Sequence, residues 1–271
     1  VTTINRQVAA SLDDACVYDS DDDVNPPWDA FYSNALHDYA GKDGSNYREG
    51  CGMRFTNITI PQGAIIDSAY LTFTCRLAGS GTTVRTNIIG EDVDDAAQFS
   101  NLANYNGRSR TSAIVAWDGI NAWVVNSEYV SPDIKTVIKE IIDRAGWASG
   151  NDLVLFWEND LSNTGADRIA WSYDGSSAKA PKLAITYHVG VAYTITVTEV
   201  LGMSESVGTK AAFKKTVSES LGMSESVAKP MHMYKTVSEI LGMRDQVEIR
   251  KHKIPIGDLP DHVITGGAKH E

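Results

Sequence analysis

Asp19-Ser20-Asp21-Asp22-Asp23, with Asp13 and Asp14 just upstream, is the densest acidic run in the chain. Asp19, Asp21 and Asp23 alternate, a spacing that lets several oxygens converge on one hard cation such as calcium, which is held by many oxygen ligands. The run lacks the glycine and closing glutamate of an EF-hand loop, and a solvated acidic loop is the plain alternative. A second chemistry is stacking on sugar rings. Trp28, Tyr32, Trp171 and Tyr173 are the candidates for glycan contact if they reach solvent; otherwise they are core or rim packing of a β-sandwich. A third is acid–base work by paired carboxylates at a strand end, for which Asp152, Glu158 and Asp160 are the only grouping. The six histidines form no metal-ligand motif, and nucleophile-elbow, phosphate-loop and dinucleotide fingerprints are absent. The chain is therefore read as non-catalytic.

The remaining reactive groups are three cysteines and one sequon. Cys75 continues the apolar face of Ala69, Leu71 and Phe73 and reads as a buried small residue. Cys16 and Cys51 could bridge in an oxidising compartment, although spacing alone does not establish it. Asn57-Ile58-Thr59 is a glycosylation sequon inside a strand-like run. Formal net charge is −11 over 271 residues. That disfavours nucleic acid, whose binding needs a basic footprint. No apolar run is long enough for a transmembrane helix. The chain opens on Val1, and a removed leader would suit an extracellular, cell-surface or virion-surface protein.

Most of residues 1–188 is written in strands. Segments 53–60, 68–77, 82–90, 113–117, 152–157, 168–173 and 182–187 are rich in β-branched and aromatic residues and bounded by turn formers. One amphipathic helix is predicted between them. Ser131 is its N-cap, Pro132 its first residue, Ile134, Val137, Ile138, Ile141 and Ile142 its apolar stripe, and Gly146 its left-handed close. It is expected to lie as a lid on the end of a β-sandwich.

The order SLDDACVY, YREGCGMRFTNITIPQGAIIDSAYLTFTC, SPDIKTVIKEIIDRAGWASGNDLVLFW and APKLAITY resembles the DNRLRE-type domain, related to carbohydrate-binding module family 96. The resemblance covers most of residues 8–188 and is most specific over Ile60–Leu71 and Pro181–Tyr187. Residues 91–130 depart from it and carry the extra Trp117 and Trp123. It implies an all-β jelly-roll β-sandwich and a non-catalytic module of extracellular or virion-surface proteins. It transfers no ligand-contacting residue.

Beyond residue 188 the chain repeats itself. TVTEVLGMSESV, TVSESLGMSESV and TVSEILGMRDQV begin at residues 196, 216 and 236, and Tyr193, Phe213 and Met233 share a phase, so the unit is twenty residues. Each unit reads as strand, Gly-centred bend, strand, and is too poor in large apolar residues to form its own core. Residues 189–247 are read as three β repeats and 248–271 as an extended arm. Leu201, Met203, Leu221, Met223, Leu241 and Met243 are the candidate assembly contacts. The recurring acids Glu199/Glu205, Glu219/Glu225 and Glu239/Asp245 form either a cation ladder or a solvated edge that discourages wrong pairing. The expected function is a structural subunit of an extracellular filament, surface layer or virus appendage that self-assembles through its tail. The alternatives are a carbohydrate-binding or adhesion module with the tail as spacer and, more remotely, a polysaccharide-degrading enzyme.

Overall fold

A computed structural model describes residues 1–20, 28–79, 81 and 83–190, together with the backbone of 193–197 and 233–237. Two compact units divide the chain, Val1–Val191 and Ala192–Glu271. The first contains β1 (Thr2–Gln7), β2 (Asp14–Asp19), β3 (Ala30–Tyr32), β4 (His37–Lys42), β5 (Arg48–Phe55), β6 (Ile65–Leu77), β7 (Arg85–Glu91), α1 (Leu102–Asn106), β8 (Arg110–Asp118), β9 (Glu128–Val130), α2 (Lys135–Ile142), β10 (Leu153–Asn159), β11 (Ala166–Trp171) and β12 (Lys182–His188).

These strands form one curled antiparallel sheet in the order β1-β12-β6-β11-β4-β5-β10-β7-β8, with β9 on β6, β2 on β5 and β3 on β2. Helix α2 touches β6 at one side of the curl and β7 and β8 at the other, closing the space between them. The head is thus an all-β, sandwich-like fold. Its alternation is as the sequence predicts in β6, where Ala69, Leu71, Phe73 and Cys75 all point into the core.

Strand β10 shows why some runs lack alternation. Leu153, Leu155 and Trp157 enter the large core inside the curl. Val154 and Phe156 enter a smaller cluster on the opposite face, with Ala15, Val17, Trp28, Ala96, Phe99 and Tyr105. A strand buried on both faces reads as a continuous apolar run. The centre of the large core is aromatic. Phe73 and Trp157 have ring centroids 4.5 Å apart, and Trp123 lies flat on Tyr129 at 4.7 Å. Trp157 Nε1 donates to Thr86 Oγ1 at 2.9 Å, so its one polar atom is satisfied. Trp117 and Trp123, the extra tryptophans of 91–130, belong to this same cluster.

The helix differs from its predicted limits. It starts at Lys135, not Pro132, because the preceding residues continue the pairing of β9 along β6. Ser131 N donates to Leu71 O and Ile134 N to Ala69 O. Ser131 Oγ accepts from Leu71 N, and Asp133 Oδ1 accepts from both Ala69 N and Lys135 N. Ser131 is therefore no N-cap. Nor does Gly146 close the helix, which ends at Asp143. A side chain at Gly146 would meet Asp94 Oδ2 at 2.0 Å. Asp94 in turn accepts from Arg144 Nε at 2.7 Å, so the glycine makes room for an ion pair. The predicted apolar stripe of the helix is fully buried.

In the second unit, β13 (Tyr193–Val197) and β14 (Met233–Val237) pair in parallel, Tyr193 opposite Met233 and Val197 opposite Val237. Partners are forty residues apart throughout, two whole repeat steps, so like phases of the repeat pair in register.

Candidate functional site

Strands β2, β3 and β5 place three tyrosines side by side. Tyr18 is the last residue but one of β2, Tyr32 ends β3, and Tyr47 precedes β5. Cys16 pairs with both Tyr32 and Cys51, and Tyr18 with Glu49, so these residues share one face of the sheet. Cys16 and Cys51 lie deep on that face, while the tyrosines stand where it opens to solvent. The Tyr18 ring lies 5.9 Å from Tyr32, tilted by 24°, and 5.5 Å from Tyr47, tilted by 11°. Tyr32 is 44% exposed and Tyr47 37%. The hydroxyls of Tyr18 and Tyr32 stand 3.4 Å apart. The result is a short ladder of parallel rings with aromatic faces at its ends and hydroxyls along its rim. Tyrosines offer large amphipathic contact area with little side-chain entropy to lose.

Carboxylates flank the ladder. Asp29 accepts from Ser20 N at 2.9 Å and Ser20 Oγ at 2.6 Å, which holds its carboxyl below the usual range. Glu49 is pushed up to about 8 by burial first, then by the charges of Asp167 and Asp43. Its Oε2 is buried without a partner. Gly41 lies between Glu49 and Asp167 in register across three strands. Asp43 Oδ1 accepts from Ser45 N and Tyr47 N, both at 2.8 Å, and so fixes the turn that presents Tyr47.

The sequence-predicted residues are placed as follows. Tyr32 belongs to the ladder. Trp28 is buried in the smaller core with Arg48 over its ring at 5.1 Å, so it has no face left for a sugar. Trp171 is held between Arg76 and Lys179, each 5.3 Å from its ring, and Tyr173 packs against the core. Asp19 is buried and receives Arg48 Nε at 2.9 Å, an ion pair on the core side of β2 rather than in an open acidic loop. Asp21 and Asp23 lie outside the described residues, as do Leu201, Met203, Leu221, Met223, Leu241 and Met243 and all the recurring acids of the tail.

Asp152 pairs with Arg54, and Glu158 with Arg110 at 2.9 Å and with the Tyr105 hydroxyl at 3.0 Å. Both carboxylates are therefore committed to arginines. Asn57 is exposed in the loop after β5, not in a strand, with φ of 54°. Cys16, Cys51 and Cys75 are free and buried, although Cys16 and Cys51 face each other across β2 and β5. No three His, Cys, Asp or Glu side chains among the described residues stand in positions to hold a metal ion together. No described helix is long and apolar enough to cross a membrane.

Tyr18 and Tyr47 escaped the sequence reading because each is an ordinary strand-end tyrosine. The available signal was alternation, Tyr47-x-Glu49-x-Cys51 on one strand and Cys16-x-Tyr18 on the next. No protein-family model and no curated protein matches the chain.

Proposed function

We propose that the head is a non-catalytic carbohydrate-contacting module of an extracellular, cell-surface or virion-surface subunit. The observation that supports this reading is the ladder of Tyr18, Tyr32 and Tyr47, whose outer ring faces and hydroxyl rim suit the apolar and hydroxylated faces of a sugar. The resemblance to carbohydrate-binding module family 96 points the same way. Affinity electrophoresis of the full chain through a panel of soluble polysaccharides tests it. The wild type should be retarded by at least one polymer, and Tyr18→Ala, Tyr32→Ala and Tyr47→Ala should each weaken retardation. Tyr70→Ala, a change of an exposed tyrosine outside the ladder, should not. Equal mobility of wild type and the triple variant in every gel would sink the reading.

A second reading concerns the tail. Like-phase pairing of β13 and β14 favours assembly through the repeats, since a strand able to pair with a copy of its own sequence in one chain meets the same partner on another. Negative-stain images and sedimentation of the full chain test this. Filaments or discrete oligomers support it, and a monodisperse monomer at all concentrations refutes it.

A further inference from the structure

Away from the ladder, three acids gather where the ends of β2, β4 and β11 meet. Asp14 is 2% exposed and Asp38 is 0% exposed. Asp174 is half-buried beside them, at the surface end of the group. The loops that carry them are stitched together. Tyr173 N donates to Asp14 Oδ2 at 2.7 Å, Ser11 Oγ to Asp174 Oδ2 at 2.7 Å, and Ser172 Oγ to Ala35 O at 2.6 Å. The approach is so close that a side chain on Gly175 would stand 2.0 Å from Leu36 O.

What the group lacks is positive charge. Asp14, Asp38 and Asp174 enter no ion pair among the described residues, whereas Asp13 beside them is paired with Arg54 at 2.7 Å. Among the described residues the Asp38 carboxylate has one hydrogen-bond partner, and a weak one, the Cys16 thiol at 3.6 Å from Oδ1. Its Oδ2 is fully buried with no partner at all. Burying an unpaired carboxylate is expensive unless it is protonated or meets a cation.

We infer that Asp14 and Asp38, with Asp174 at the mouth, form a binding site for a hard divalent cation, calcium. The donors are oxygens: three carboxylates, the Ser11 hydroxyl and nearby main-chain carbonyls such as Ser33 O, which lies 3.3 Å from Ser11 Oγ. Oxygen ligands of uneven spacing select calcium over magnesium, which demands a strict octahedron. Oxygen donors also disfavour softer metals, which prefer thiolate. As they stand the acids do not converge on one point, so binding requires them to close on the cation.

Calcium alone is the probe, added to the full chain after treatment with chelator. Calcium should raise the melting temperature by several degrees over the value in chelator, and calorimetric titration should give one saturable event at the head. Asp38→Asn and Asp14→Asn should each abolish the calcium-dependent shift while melting higher than wild type in chelator, because each removes a buried acid whose ionisation the fold opposes. Asp21→Asn/Asp23→Asn should keep the shift. The inference is overturned if calcium leaves the wild-type melt unchanged. It is overturned equally if the shift survives Asp38→Asn or disappears in the Asp21→Asn/Asp23→Asn variant.

Discussion

In the absence of a cation, the buried acids should make this fold less stable as pH rises, opposite to the usual behaviour of a salt-bridged carboxylate. The Asp14 carboxyl is pushed up from 3.8 to about 7, first by burial, with Tyr173 N opposing and the charges of Asp174 and Asp13 adding. Between those two values the folded chain keeps a proton that the unfolded chain has released, so stability falls across that window and levels off above it. A shift of roughly 3 pH units at about 1.4 kcal/mol per unit is worth about 4 kcal/mol in all, and about 3 kcal/mol of it falls above pH ~5. Asp38 is raised by the same burial and shares this titration, so the figure belongs to the pair. His37 works the other way at the acid end, since burial and then Arg76 lower it. The comparison is therefore between wild type and Asp14→Asn, which share His37. Urea unfolding of the full chain in chelator, run from about pH 5 to about pH 8, gives the free energies. Glu49, pushed up to about 8 by burial, adds a fall of its own in both proteins, so wild type should lose about 3 kcal/mol more over that span than Asp14→Asn. A wild-type stability that is flat or rising, or an unchanged slope in the variant, would refute the reasoning.

Three further outcomes follow from the packing. Trp157→Ala removes the ring at the centre of the aromatic core and its bond to Thr86, and should cost about 3–5 kcal/mol by urea unfolding. Arg168 is fully buried, with Nε and the terminal nitrogens donating to the carbonyls of Asn121, Asp167, Gly81 and Ile120. Arg168→Lys keeps the charge but loses the fork, and should destabilise by about 2–4 kcal/mol, with faster protease cleavage near Gly81 and Asn121. Glu140 of α2 accepts from Ser112 N and Ala113 N, both at 2.7 Å, and so covers part of the free edge of β8. Glu140→Ala should cost about 1 kcal/mol and increase self-association by light scattering, because it uncovers strand edge.

The sequence reveals strands wherever an apolar face alternates with a polar one, as in β6, β11 and β12, and wherever an apolar run is buried on both faces, as in β10. It conceals those whose interior positions carry unusual residues. Strand β2 reads as the start of an acidic loop because Asp14 and Asp19 are buried charges, one lying among other acids and the other paired with Arg48. The first half of β5 is masked by Gly50 and Gly52. These are glycines because the rings of Trp28 and Phe99 press on the strand there, at 3.1 Å and 2.5 Å from where a Cβ would be. Strand β4 hides for both reasons, with Asp38 buried and Gly41 at φ of 125° against Ala166 and Asp167. Of these strands β2 carries Tyr18 and Asp14, β4 carries Asp38, and β5 begins just after Tyr47. The candidate sites were hard to read from the sequence because local pattern does not record which strands lie side by side.

The parallel pairing of β13 with β14 gives the tail a ruler. Partners differ by two whole steps of the repeat, so pairing is preserved only when the intervening chain changes length in graduations of twenty residues. Removing one graduation between Val197 and Met233 brings the same two phases together one step apart. Removing half of one sets positions of the Thr196-Val197 phase against positions of the Ser206-Val207 phase, so unlike phases of the repeat meet. The tail's length is therefore quantised, and variants of this chain that keep this like-phase pairing should differ in the number of repeats, never in a fraction of one.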